Sequence, residues 1–166
     1  MATYFPDEEW RAVSAREPLS SEWDKAARLR SSLDMLRQDV GYPIGLTSFV
    51  RSSGTHPNGD AIDFQPAGFP PAIRATDPAK AREFSQRLED MFNWLRTHPQ
   101  RRSMFGVVIH ERNHIHMTVP GFRGKYGEVY REPEEGVYTI VRENFHLLGV
   151  VFLVVLGYWF LTGKLA

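Results

Sequence analysis

The sequence predicts an α+β protein, in which a small antiparallel sheet is flanked by two amphipathic helices and followed by a C-terminal transmembrane helix. Three patterns support this fold class. Two long segments repeat apolar residues at helical spacing, four short segments have the apolar pattern of strands, and one continuous apolar run lies near the C-terminus. A chain of 166 residues is also long enough for one domain with a buried core.

The two amphipathic helices are predicted at residues 20–39 and 78–95. Serines that can cap a helix stand at the start of the first, and Pro78 stands in the first turn of the second, where its missing N–H would have no helical partner. Apolar residues then recur at steps of three and four, and we expect the resulting face to contact the core. These residues are Trp23, Ala26, Leu29, Leu33, Leu36 and Val40 in the first helix and Phe84, Leu88, Met91 and Leu95 in the second.

Four strands are predicted, because short segments rich in β-branched and aromatic residues stand between turn-forming residues. They cover residues 44–50, 61–65, 105–111 and 114–119. The proline-rich residues 66–77 predict a loop or lid. Residues 1–119 are therefore predicted to form the folded domain. Residues 120–142, in which glycine, proline and charged residues are frequent, are predicted to form a linker.

A membrane anchor is predicted at residues 143–166. No charged residue occurs from Leu147 to Gly163, a length at the short end of the ~17–25 residues that cross a bilayer, and Tyr158 and Trp159 suit the membrane interface. The alternative is a buried core helix, which would normally show a polar face. The acidic N-terminus does not resemble a secretory signal.

Composition limits the chemistry that the domain can support. The 20 basic and 20 acidic residues balance, so the net charge gives no reason to expect nucleic acid as a partner. The absence of cysteine excludes disulfides, thiolate nucleophiles and sulfur-ligated zinc. Any metal ion must therefore be bound by histidine and carboxylate side chains.

The sequence HERNH at residues 110–114 has two interpretations. It satisfies the H-E-x-x-H pattern of helical zinc proteases, whose two histidines share one face of a helix. Val107, Val108 and Ile109 precede it, however, and apolar residues alternate after it, which favours two strands joined by a tight two-residue turn. On strands, His114 and His116 share a face with Glu111, which would bring one carboxylate and two imidazoles close together.

A second polar stretch, THPNGDAIDF at residues 55–64, adds further candidate ligands. His56 and Asp63 are joined through a turn that leads into a predicted strand, and His116 could complete a set of three. A catalytic zinc ion commonly has three protein ligands and one open position for water. These three residues are therefore the candidate metal ligands.

The motif HPNGDAID, from His56 to Asp63, resembles the H-x-x-G-x-A-x-D motif of zinc D-Ala-D-Ala carboxypeptidases and L-alanyl-D-glutamate endopeptidases, which cleave bacterial cell-wall peptides. This family shares its metal site with lysostaphin-type peptidases and the Hedgehog signalling domain. The resemblance implies Zn²⁺ as cofactor, His56, Asp63 and His116 as its ligands, and peptidoglycan stem peptides as substrate. The stretch SFVR resembles a family segment whose arginine, here Arg51, faces the substrate, but Gly54 replaces a serine that the family usually has.

Two residues compete for the role of general base. In the carboxypeptidase branch a carboxylate stands three residues before the last ligand histidine, but Asn113 occupies that place here. In the other branches a glutamate further upstream and the first histidine of H-x-H line the site, as Glu111 and His114 would. We expect Glu111 to accept the proton of water and His114 to orient water or stabilise the oxyanion, with the reverse assignment as the alternative.

The predicted function is a zinc-dependent murein endopeptidase. A bacteriophage lytic enzyme best fits a membrane-anchored peptidase that lacks a secretory signal. Two alternatives are a D-Ala-D-Ala carboxypeptidase of the bacterial envelope and a binding module that keeps the metal site without turnover. The predicted location is a virion membrane or the bacterial inner membrane, with the C-terminal helix in the lipid bilayer.

Overall fold

The structure, a computed structural model, describes residues 4–51, 56 and 58–132. These residues form an α+β unit, which confirms the α+β part of the predicted fold class. The helices are α1 (Asp7–Ala12), α2 (Ser20–Val40), α3 (Pro71–Thr76), α4 (Pro78–Thr97), α5 (Arg101–Met104) and a short 3-10 helix (Phe122–Gly124). The strands are β1 (Ile44–Ser48), β2 (Ala61–Pro66), β3 (Val107–His110), β4 (Ile115–Thr118) and β5 (Glu128–Arg131).

Helices α2 and α4 form close to the predicted bounds, but the serines predicted to cap α2 do not do so: Leu19 is its N-cap, and the N–H of Leu19 donates to the Glu22 carboxylate. Gly41 ends α2 with a left-handed φ of 75°, which suits a residue without a side chain. The Asp77 side chain accepts hydrogen bonds from the backbone N–H groups of Ala79 and Lys80 and so caps α4. The predicted apolar faces are buried, with at most 3% exposure for Ala26, Leu29, Leu33, Leu36, Phe84, Leu88, Met91 and Leu95. Trp23 and Val40 are partly buried.

Three short α-helices and the 3-10 helix were not predicted from the sequence. Helix α3 occupies part of the predicted loop at residues 66–77 and has only 6 residues. An element of this length has no apolar period to reveal it, and its proline-rich surroundings indicated a loop. Helices α1 and α5, with 6 and 4 residues, gave no signal for the same reason.

The sheet has the strand order β1-β2-β4-β3-β5 and is mixed. Strands β1 and β2, β2 and β4, and β3 and β4 pair antiparallel as predicted, but β5 pairs parallel with β3. The prediction of a purely antiparallel sheet is therefore wrong at this edge. Because β3 and β4 are antiparallel, the end of β4 lies beside the start of β3. A short connection leads from there into β5, so β5 begins at the same end of the sheet as β3 and runs parallel to it.

Residues 120–132, which were predicted as the first part of a linker at 120–142, belong to the folded unit. The N–H of Gly127 donates to the carbonyl of Phe105 at 2.8 Å, and the N–H of Glu132 donates to the carbonyl of His110 at 2.9 Å. The structure corrects the linker prediction up to Glu132. The glycine and charge content of this segment indicated a linker. The pairing with β3 that orders it left no local signal, because β3 lies about 20 residues earlier in the sequence.

The predicted membrane anchor at residues 143–166 lies outside the described residues, as does the rest of the predicted linker. Within the described part of the chain, no helix is long and apolar enough to cross a bilayer. The anchor stays a prediction.

The two faces of the sheet differ in chemistry, because side chains alternate along each strand. One face, the core face, belongs to the hydrophobic cluster shared with α2 and α4. It carries Ile62, Phe64, Val108, Ile115 and Met117, each with 0% exposure. The opposite face, the site face, carries one register row across all five strands, made of Ser48, Asp63, His116, Ile109 and Tyr130.

Chains that end after residue 119 and after residue 132 should differ in stability. The shorter chain lacks β5 and loses its backbone hydrogen bonds to β3, each with a net contribution of about 0.5–1.5 kcal/mol. We expect its thermal midpoint to fall by about 4 °C for each kcal/mol lost, as for a domain of this size. Circular dichroism melting of the two chains measures the difference, and equal midpoints would show that the domain ends at residue 119 as the sequence predicted.

Candidate metal centre

Asp63 and His116 lie side by side on the site face. They are direct partners in the antiparallel pairing of β2 with β4, so their side chains leave the sheet in the same direction. His56 comes from the turn before β2, where the N–H of Gly59 donates to the carbonyl of His56 at 3.1 Å. Gly59 has a φ of 65°, and a Cβ there would lie 3.0 Å from Cβ of Glu22. The turn that delivers His56 therefore requires glycine.

The three side chains converge on one small volume. Asp63 Oδ1 lies 2.8 Å from His116 Nδ1 and 3.3 Å from His56 Nε2, and the two ring nitrogens are 3.3 Å apart. Their exposure is 2% for His56, 2% for Asp63 and 7% for His116. The structure thus brings the three predicted ligands together as a buried group that could hold a metal ion.

A backbone carbonyl orients His56. Its Nδ1 lies 2.9 Å from the carbonyl oxygen of Phe49, which can only accept a hydrogen bond, so Nδ1 carries a proton and the lone pair of the neutral ring would be on Nε2. Nε2 is the atom that faces Asp63 and His116. Metal-binding histidines usually have such a partner on the second ring nitrogen. His56 is therefore prepared to bind a metal ion through Nε2.

The two oxygens of the Asp63 carboxylate have different partners. Oδ1 faces the imidazoles of His56 and His116, whereas Oδ2 pairs with Arg51 Nη2 and lies 3.7 Å from His114 Nε2. Burial alone would raise the pKa of Asp63, but hydrogen bonds from His116 and His56 outweigh it and hold that pKa well below its usual range. Ionised Asp63 therefore stabilises the fold at neutral pH, and this contribution is lost as the pH falls through the lowered pKa.

Helix α2 supports the turn that carries His56. Lys25 Nζ lies 2.8 Å from the carbonyl oxygen of Asn58 and 2.6 Å from Asp60 Oδ1. These contacts were not predicted, because a lysine on the polar side of an amphipathic helix gives no signal for a partner far along the chain. They fix the turn between two of the three candidate ligands.

Glu111 and His114 border the metal group at the hairpin between β3 and β4. The N–H of Glu111 donates to the carbonyl of His114 at 3.0 Å, which closes the predicted two-residue turn. Glu111 Oε2 lies 3.0 Å from His114 Nε2, and the same nitrogen lies 3.7 Å from Asp63 Oδ2. The pair is adjacent to the three candidate ligands without belonging to their group.

The helical interpretation of HERNH is wrong. His110 lies on the core face, where its Nε2 is 3.6 Å from Glu89 Oε2 and its ring centroid is 5.0 Å from that of Phe92. His114 lies on the site face, beside Asp63. The two histidines of the H-E-x-x-H pattern therefore lie on opposite faces of the sheet and cannot bind one ion, because the motif requires a helix.

Arg51 lies at the rim of the metal group. Its guanidinium pairs with Asp63 Oδ2 and donates to Ser48 Oγ, and 49% of its side chain is exposed. The role of Arg51 in facing a substrate stays a prediction. Gly54, where the sequence departs from the family motif, lies outside the described residues.

Comparisons with protein-family models, with curated proteins and with solved structures found no match to this chain. The site is therefore interpreted from its own geometry and from the motif between His56 and Asp63.

Proposed function

We propose that this protein is a zinc-dependent peptidase that hydrolyses peptide bonds in peptidoglycan, and that it acts as a phage-encoded murein endopeptidase. The main observation is the buried group of His56, Asp63 and His116, with Glu111 and His114 beside it. The resemblance of the HPNGDAID motif to that of peptidoglycan peptidases supports the substrate class.

The donor atoms of the group suit zinc. Zn²⁺ binds nitrogen and oxygen ligands at about 2.0–2.2 Å in a tetrahedral arrangement, so its donor atoms should be about 3.3 Å apart. The separations between His56 Nε2, His116 Nδ1 and Asp63 Oδ1 are 3.3, 2.8 and 3.3 Å. These three atoms would hold the ion without rearrangement of the strands. A set of three protein ligands is also the number found in catalytic zinc sites, which keep one position for water.

Glu111 and His114 have complementary roles in proton movement. Bound zinc would lower the pKa of a water molecule toward about 7 and polarise the scissile carbonyl. Both ring nitrogens of His114 face oxygen atoms, with Nδ1 at 2.7 Å from Asn113 Oδ1 and Nε2 at 3.0 Å from Glu111 Oε2. Nε2 of His114, which faces a carboxylate, is therefore arranged to donate a hydrogen bond, as a group that stabilises an oxyanion must. Glu111 can accept the proton of the water and pass it to the leaving amine.

Arg51 is assigned to substrate binding. Its half-exposed guanidinium has N–H donors beyond those that contact Asp63 and Ser48. It stands at the rim of the group, so a carbonyl or carboxylate of a peptide bound there would be within its range.

Release of amino groups from purified murein tests the proposed function. The zinc-loaded full chain should release new amino groups, stop when a chelator is added and recover when zinc is restored. Mass analysis of the products separates an endopeptidase from a D-Ala-D-Ala carboxypeptidase, which would release only terminal D-alanine. A zinc-loaded chain that binds murein without releasing amino groups would contradict the enzyme and favour the non-catalytic binding module.

A further inference from the structure

A row of side chains connects the metal group with the far edge of the sheet. The register pairs Asp63 with His116, His116 with Ile109, and Ile109 with Tyr130. Residues paired in this way place their side chains on the same face, here the site face. Neighbouring strands are about 4.8 Å apart, so Tyr130 stands two strands, or about 10 Å, from His116.

The row is open to solvent beyond the metal group. Tyr130 is 50% exposed and Ile109 is half-buried. The alternate residues, His110 and Arg131, point to the core face, where both contact Glu89 of α4. Ile109 and Tyr130 therefore form a partly open apolar path that begins at the metal ligands.

The path ends at a cavity with positive charge. This cavity, about 470 Å³ in volume, lies along β5 and is lined by Tyr130 and by three arginines from the end of α4 and from α5. The three arginines are Arg96, Arg101 and Arg102. They are exposed, and within the described ranges none of them forms an ion pair with a carboxylate. The one carboxylate in the lining, Glu128, pairs with Lys125 Nζ at 3.0 Å and accepts a hydrogen bond from the Tyr130 hydroxyl.

We propose that this cavity binds a free carboxylate of the peptide substrate, and that Ile109 and Tyr130 contact the peptide between the cavity and the metal group. This inference rests on the proposed peptidase function. Exposed guanidinium groups without an ionic partner bind carboxylates through charge-assisted and often bidentate hydrogen bonds. An extended peptide advances about 3.3 Å per residue, so a carboxylate about three to four residues from the scissile bond would lie at the arginines.

The test compares two forms of soluble stem peptides released from murein, one with free carboxylates and one with the carboxylates converted to methylamides. The zinc-loaded wild-type chain should cleave the free form with a kcat/KM at least about tenfold higher, the usual effect of a hydrogen bond to a charged group. The double variant Arg101→Gln/Arg102→Gln should keep its zinc content and lose this preference, mainly because its KM for the free form rises. Tyr130→Ala should raise KM for both forms.

Arg82→Gln is the matched control, because Arg82 is an exposed arginine of α4 that does not line the cavity. It should behave as wild type. A preference that is unchanged in the double variant, or equally reduced in Arg82→Gln, would overturn the carboxylate site and leave the peptidase function in place. Failure of the zinc-loaded wild type to cleave either peptide form would overturn both.

Discussion

Replacement of His116 by alanine is expected to abolish metal binding and, with it, peptidase activity. His116 Nδ1 lies 2.8 Å from Asp63 Oδ1 and 3.3 Å from His56 Nε2, so the variant removes one of three converging donor atoms. Loss of a residue that only supports a ligand commonly weakens metal binding by about 10–100-fold, and loss of a ligand should exceed this effect. Elemental analysis and zinc titration of the purified variant measure the result.

His110→Ala is the matched control for this variant. His110 has the same chemistry and lies in the neighbouring strand, but it contacts Glu89 and Phe92 on the core face. We expect the control to keep about one zinc ion per chain, as a single site requires. Circular dichroism should show that His116→Ala still folds, because the metal group lies on the face opposite the core. If both folded variants lost zinc equally, the assignment of His116 would fall and a site built on HERNH would have to be reconsidered.

Replacement of Glu111 by glutamine is expected to lower kcat by about 10²–10⁴-fold without loss of zinc. A neutral amide cannot accept the proton of the attacking water, and general-base catalysis typically contributes a factor of this size. Zinc should be retained because Glu111 lies outside the ligand group and contacts His114 at 3.0 Å. Steady-state kinetics on soluble stem peptides, together with elemental analysis of the same samples, measure the two effects.

His114→Ala completes this experiment, because it separates the two candidate bases. If His114 only donates a hydrogen bond to the oxyanion, its variant should be impaired but should keep the limb of the pH–rate profile that reports the base, and Glu111→Gln should lose that limb. A Glu111→Gln variant with near-normal kcat, beside an inactive His114→Ala that still binds zinc, would transfer the role of base to His114.

The sequence by itself determined the main elements and the identity of the candidate ligands. Helices α2 and α4 were predicted because apolar spacing is a local property of the chain. The direction of His116 was predicted for a similar reason: in a strand it must point away from its neighbours Ile115 and Met117, and both of these are fully buried. His56 and Asp63 stand within one short motif, so their spacing was also visible before any fold was known.

Only the tertiary structure decided how the ligands are held and what lies beyond them. The carbonyl of Phe49 orients His56, and Lys25 fixes the following turn, but a carbonyl has no residue identity and Lys25 is remote from that turn in the sequence. Strand β5 joins the sheet through parallel pairing with β3, and this pairing places Tyr130 in the row of the metal ligands and beside the arginine cavity. Pairing of this kind depends on which strand edge is free once the other strands have assembled, and residues 128–131 carry no local pattern that could reveal it.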